Sequence, residues 1–262
     1  MRDVRKAVLG ALLAALCFLP GCGMGAAGGK SWTDQARPLD LLNQQRIAAL
    51  ASTRDRLYVS TGERVFIVAL SGSSVTDATG RISKQPADEI TEILVDAARE
   101  QLWIVLNQNA HLASCYSYDL AARQCPRSFL EQRMGLYERL RESGLPSSIS
   151  ALAFDDRQAV FGLFRGGIYL YAMKEGKSSL VYRPSSSDHW PVAAILTDVA
   201  AFVATRGDGL IVVDRKTGTA ARFPDKPGQQ VRAVAVREPE LYLGATGLYR
   251  ARIVDFVSPP GA

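Results

Sequence analysis

The chain has 262 residues, with 31 Lys and Arg against 26 Asp and Glu and a formal net charge of +5. That balance is too mild for a nucleic-acid binder, and no basic run with interleaved aromatic residues is present. Two histidines exclude a histidine-rich metal centre, and no metal site or cofactor motif is expected.

Residues 1–22, MRDVRKAVLGALLAALCFLPGC, set Arg2, Arg5 and Lys6 before an apolar run from Ala7 to Leu19. The run is too short for a membrane span and reads as an export signal. It ends in Leu19-Pro20-Gly21-Cys22, which resembles the bacterial lipoprotein box. The resemblance implies a signal peptide over 1–21 and a lipidated Cys22 as the mature N-terminus. Gly23 follows instead of Asp, which implies the outer membrane, with the folded part in the periplasm or at the surface. An ordinary cleaved signal with an incidental cysteine is the alternative. Removing 1–21 takes away three cations and Asp3, so the charge falls from +5 to +3. Residues 22–30 are small and form a flexible tether, and 31–262 form one domain. Residues 31–46 hold Pro38 and the apolar Leu39, Leu41 and Leu42.

From residue 47 onward one pattern recurs: apolar strand, polar turn, apolar strand, Gly-rich or polar turn, third strand. Copies start at Ile47, Ile90, Ile149, Val192 and Val231, at intervals of 43, 59, 43 and 39. A period near 40 with three or four strands per unit predicts an all-β fold, a β-propeller of five blades with about four antiparallel strands each, with six blades as the alternative. The second strands hold Leu57-Tyr58-Val59, Leu102 to Val105, Val160-Phe161, Phe202-Val203 and Leu241-Tyr242-Leu243. Such continuous apolar runs demand burial on both faces, which a blade between two neighbours supplies. A propeller joins its first and last blades, so part of 31–46 is expected to give the outer strand of the last blade; Ile253–Val257 is the alternative.

The strand LYLGATGLYR (241–250) resembles the sensor-type propeller repeat of two-component regulators. LIVVDRKTGTAARF (210–223) is more loosely similar to quinoprotein-type and envelope-assembly-lipoprotein repeats, through Asp214, Thr217 and Gly218. The resemblance covers about 47–253 and implies architecture alone, because propellers host many activities.

Cys115 and Cys125 flank what reads as a third strand, a turn and the start of a fourth. An exported chain permits oxidation, so a disulfide is expected. Residues 126–148 hold the one helical insertion, near 128–143, opened by a Ser128–Glu131 capping box and stopped by Gly144 and Pro146. Its stripe Leu130, Met134 and Tyr137 can dock a partner or pack on the propeller itself.

In an up-and-down blade the turn after the second strand shares one end of the propeller with the link to the next blade. That face should collect Arg64, Asn107, Asn109, His111, Arg165, Arg206 and Asp208, joined by Asp188, His189 and Trp190 of the 185–191 link. Arg165 and Arg206 precede glycines at equivalent places and can hold a carboxylate or phosphate; simple turn chemistry is the plainer reading. His111 and His189 read as loop residues. No Gly-x-Ser-x-Gly, His-Glu-x-x-His or phosphate-cradling loop is present, and no catalytic residue is assigned. The leading reading is a lipid-anchored, non-catalytic binding or scaffold propeller of a bacterial envelope complex. Its partners are the membrane, through the lipid, and envelope proteins, with no nucleic acid. The alternatives are a small-molecule or glycan sensor and, behind it, a hydrolase or lyase built at the mouth.

Overall fold

The second strand of each unit is the most apolar part of the chain and also its most deeply buried. In the computed structural model, which describes residues 31–257 apart from 41, 43, 72–73 and 143–147, Leu57, Tyr58, Leu102, Phe161, Phe202, Val203, Leu241 and Leu243 are all fully shielded from solvent. The signal peptide, Cys22, the tether and the Gly144–Pro146 stop lie outside the described residues.

Five antiparallel sheets are arranged as a five-bladed β-propeller. A short helix α1 (Trp32–Gln35) and strand β1 (Arg37–Leu39) come first. Blade 1 holds β2 (Ala49–Ser52), β3 (Arg56–Ser60), β4 (Val65–Ala69) and β5 (Val75–Asp77). Blade 2 holds β6 (Ile90–Asp96), β7 (Gln101–Leu106) and β8 (Asn109–Ser117), followed by helix α2 (Ser128–Glu142). Blade 3 holds β9 (Ile149–Phe154), β10 (Gln158–Leu163), β11 (Ile168–Ala172) and β12 (Lys177–Tyr182). Blade 4 holds β13 (Pro191–Leu196), β14 (Ala200–Thr205), β15 (Gly209–Asp214) and β16 (Ala220–Phe223). Blade 5 holds β17 (Ala233–Arg237), β18 (Glu240–Ala245) and β19 (Gly247–Arg252), and α3 (Val254–Val257) ends the described chain.

Each second strand divides its side chains between two seams, as the two-residue strand period requires. Leu57 and Val59 pack toward blade 5 with Ala233 and Tyr242, whereas Tyr58 packs toward blade 2 with Leu102 and Ile104. Ala201 and Val203 face Val160 and Ile168 of blade 3, and Phe202 and Ala204 face Leu241 and Leu243 of blade 5. No blade owns a core of its own; each core lies between a blade and its neighbour in the ring, whether another blade or helix α2.

The seam between blades 2 and 3 differs. Elsewhere the inner strands of neighbouring blades lie side by side, β2 against β6, β9 against β13, β13 against β17 and β17 against β2. Between blades 2 and 3 the helix α2 is wedged in. Leu130 packs with Trp103 and Cys115 of blade 2, and Leu136 and Leu140 pack with Leu152 and Phe161 of blade 3. Arg133 ties both sides, its Nη2 3.2 Å from both carboxylate oxygens of Glu92 and its Nη1 donating to Leu152 O at 3.0 Å. The docking stripe expected from the sequence is therefore spent largely within the molecule: Leu130 is buried, Tyr137 donates its hydroxyl to Ile149 O at 3.1 Å, and Met134 is half-buried. The cap also shifts by one residue, since the first helical bond runs from the Glu131 amide to Arg127 O.

Blade 2 has three strands where four were expected. After β8 the chain makes a single bridge, Tyr116 to Ala122, and the Cys115–Cys125 disulfide then ties it down as it turns toward α2. Closing so short a loop contributes about 2–3 kcal/mol in the chain-entropy account. The bond fits an oxidising compartment.

The ring closes through the N-terminal segment, as expected: β1 pairs with β19, with Pro38 opposite Tyr249. The alternative closing segment forms α3 instead, with Phe256 edge-on to Phe223. Trp32 completes the closure. It is fully buried, lies edge-on to Tyr249 at 5.0 Å, and donates its indole N–H to Asp225 Oδ1 at 2.7 Å. Ser31 caps α1 and donates its hydroxyl to Pro224 O at 2.7 Å. Burial pushes the Asp225 carboxyl above its usual range, against the pull of the Val231 amide and the Trp32 indole. Trp32→Ala removes this packing and leaves Asp225 with the Val231 amide as its remaining donor, so it should cost about 3–5 kcal/mol in denaturant unfolding. A loss below about 1 kcal/mol would show that the segment only decorates the ring.

Candidate functional site

Links and turns do share one end of the propeller, and hydrogen bonds show it at blades 2, 3, 4 and 5. The amide of Asn107 donates to Glu89 O, Phe164 to Ser148 O, Arg206 to Trp190 O and Arg232 to Gly244 O, all between 2.7 and 2.9 Å. In blades 2, 3 and 4 the link entering the blade is stitched to that blade's turn after the second strand, and in blade 5 to the end of the second strand itself.

The face is not used evenly. Arg64 pairs with Asp77 of its own blade and lies over Phe66, 5.2 Å from the ring centre, so it braces blade 1. Asn107 and Gln108 both take positive φ and make the tight β7–β8 turn; Asn107 is held by the Glu89 amide and by Asp88. Asn109 opens β8 opposite Leu106. His111, expected in a loop, lies within β8.

The remaining candidates gather where blades 3 and 4 meet. Arg165 lies over Phe164 at 5.4 Å, Phe164 meets Trp190 at 4.8 Å with ring planes 62° apart, and Arg206 lies over Trp190 at 4.6 Å. The result is a stack, Arg165–Phe164–Trp190–Arg206, in which each guanidinium rests on its own ring. Phe164 is 40 % exposed although it is a large apolar residue. Cation–π contacts of this kind contribute about 0.5–1 kcal/mol each at exposed sites. Sequence reasoning found three members and missed Phe164. Its one signal was an aromatic residue directly ahead of a turn arginine.

Beneath the stack His189, Asp208 and Ser185 form a latch. Asp208 is completely buried. Its Oδ2 accepts the Ser185 amide at 2.9 Å, and its Oδ1 accepts the Ser185 hydroxyl and lies 3.0 Å from His189 Nδ1. Ser185 Oγ is itself 2.9 Å from the same ring nitrogen. A serine–histidine–carboxylate relay needs the hydroxyl and the acid on opposite ring nitrogens. Here both meet Nδ1, so the trio holds the link in place and does not activate the hydroxyl. The imidazole packs on Gly207, where a Cβ would lie 2.3 Å from Cδ2 and where φ is +97°. Only glycine fits both demands.

Burial pushes the Asp208 carboxyl up, but hydrogen bonds from the Ser185 hydroxyl and amide, His189 and Tyr182 outweigh it and hold the group below the usual carboxylate range. Burial and the charge of Asp208 push the Tyr182 hydroxyl up in turn. Toward the axis the face is basic: burial and the charges of Arg46 and Arg206 push the Arg232 guanidinium down. The axis itself is nearly filled. Its cavity is about 70 Å³ and is lined by inner-strand residues such as Ala49, Ala151, Ala193 and Ala233, with Arg133 the arginine there. Among the described residues no three His, Cys, Asp or Glu side chains group as a metal site, and no helix is long and apolar enough to cross a membrane.

No protein-family model matches the chain, and no curated protein matches it in sequence. Many solved structures match in fold. The PQQ-bound aldose sugar dehydrogenase of Streptomyces coelicolor superposes with a TM-score of 0.53 at 12 % identity, over 83 % of this chain and 97 % of that one. Virginiamycin B lyase from Staphylococcus aureus gives 0.46 at 12 % identity, over 82 % and 84 %. The extracellular domain of the putative one-component system BT4673 from B. thetaiotaomicron gives 0.35 at 14 % identity, and the chain spans 27 % of its length. At such identities the likeness shows the fold alone.

Because Asp208 is held charged, its contribution to stability is fully present above the ordinary carboxylate value, about 4. It fades as pH falls through the lowered value. Asp208→Asn should therefore destabilise by about 1–3 kcal/mol at neutral pH, with the gap to wild type closing in acid. Unfolding curves from neutral to acid pH that keep a constant gap would contradict the latch.

Proposed function

We propose that the chain is a lipid-anchored β-propeller of the bacterial envelope that recognises a partner protein through its link-and-turn face. The exposed Arg165–Phe164–Trp190–Arg206 stack carries the reading. Aromatic residues and arginine dominate the energetic centres of protein interfaces, where a rigid ring gives large contact area at little entropic cost. The stack is rigid because its base is fixed: the Asp208 latch holds the 183–190 link, and the Arg206 amide is bonded to Trp190 O.

Support for the anchor comes from Leu19-Pro20-Gly21-Cys22. Eight residues, 23–30, separate Cys22 from Ser31, where the fold begins. Fully extended they reach roughly 30 Å, so a lipid on Cys22 would keep the domain close to the membrane surface. The Ser185–His189–Asp208 geometry favours recognition over hydrolysis, since the hydroxyl lacks a separate base.

A photo-crosslinking residue placed at Phe164 should capture one discrete envelope protein in intact cells. The same residue at Lys174, in the β11–β12 turn at the other end of the propeller, should capture none. Trp190→Ala with Arg206→Ala should remove the adduct, in line with a loss of about 2 kcal/mol or more at an interface centre. Equal capture from both ends, or an adduct indifferent to the double substitution, would reject this face as the partner surface.

A further inference from the structure

Beside the stack, between the β10–β11 turn and the start of the β12–β13 link, lies a cleft of about 300 Å³. It is about four times the size of the axial cavity and falls at the lower end of small-molecule sites. Arg165 and Arg183 line it together with Ser186 and Ser187, and Tyr169 and Leu180 add an apolar wall. No carboxylate is among its lining residues. The ion pairs nearby belong to His189, Arg222 and Asp208, and Arg165 and Arg183 take part in none among the described residues. Two uncompensated guanidinium groups on one cleft favour an oxyanion, which their planar forks can bind with two parallel hydrogen bonds.

The backbone supports the same reading. Arg165 holds φ of +56°, in the left-handed region, although two glycines follow it directly. Asn107 and Gln108 take the same conformation in the blade 2 turn, so at Arg165 it fixes the direction in which the side chain leaves the turn. Gly167 sets the width of the cleft, for a Cβ there would lie 2.3 Å from Leu180 Cδ1 and 2.7 Å from Tyr182 O. Tyr169 is stacked on Phe161, with centroids 5.2 Å apart and planes within 8°, and so provides a fixed surface for a ring. We propose that this cleft binds one small oxyanion-bearing ligand, a sugar-sized molecule with a carboxylate or phosphate group. The site adjoins the partner surface and shares Arg165 with it, whereas Arg183 belongs to the cleft alone.

Calorimetric titration of the full soluble domain with glucuronate, a hexose monophosphate, inorganic phosphate and neutral glucose tests it. One or more of the charged probes should bind, and glucose should not; the preference between glucuronate and the hexose phosphate names the anion. Arg183→Ala and Arg165→Gly should each weaken binding by about tenfold or more while keeping the wild-type melting temperature, and Arg206→Ala should leave binding intact. The proposal falls if no charged probe binds at millimolar concentration, if glucose binds equally, or if Arg183→Ala changes nothing. Loss on Arg206→Ala with retention on Arg183→Ala would move the anion to the mouth and equally overturn it. Arg183→Ala leaves the stack untouched, so its effect on anion binding is read apart from the crosslink at Phe164.

Discussion

A strand that is apolar on both faces can be stable only between two other layers, and five such strands in one chain leave few ways to satisfy them all. Leu57 and Tyr58, or Phe202 and Val203, point to opposite sides of their sheets and each finds a different neighbouring blade. The hydrophobic effect therefore acts between blades and not within them. Every seam depends on the ring being complete, which explains why Trp32 and β1 are spent on joining blade 5.

The same constraint explains the one irregular seam. With the inner strands of blades 2 and 3 not directly apposed, the gap would leave Trp103 and Phe161 facing water. Helix α2 fills it with Leu130 on one side and Leu136 and Leu140 on the other. Arg133 carries the polar part of the load by pairing with Glu92 and a backbone carbonyl close to the axis. A half-buried ion pair of this sort adds little net stability; its physical effect is to fix how the helix sits against both blades. The rigid ring then sets the loops: the buried Asp208 orders residues 183–190, and those residues present Trp190 to the Phe164 turn.

Much of this was legible in the residues themselves. The near-40 spacing and the β-branched and aromatic second strands predict blades, and Cys115 with Cys125 predicts the disulfide, because these signals are local and periodic. The number of strands in blade 2 was not legible, since residues 121–125, AARQC, carry no β-branched or aromatic signal that would decide for or against a fourth strand. Nor was the destination of α2: the stripe Leu130, Met134 and Tyr137 looks the same whether it meets a partner or a seam. For the candidate site, equivalent positions in consecutive blades pointed to Arg165 and Arg206. Which turns converge depends on three-dimensional packing, so Ser185 and Arg183 carried no warning and Phe164 only its place ahead of a turn arginine, and the pairing of Arg64 with Asp77, thirteen residues away in the same blade, was not legible either.

If every core lies between a blade and its neighbour in the ring, the ring must open as one body. Native-state amide exchange on the folded protein, followed peptide by peptide through increasing denaturant, tests this directly. Residues of β3, β7, β10, β14 and β18 should form the slowest class and should lose protection together, because removing one blade exposes the faces of two others. A single blade that exchanges early while the remaining four keep their protection would show that each sheet carries its own core, and the account would be wrong.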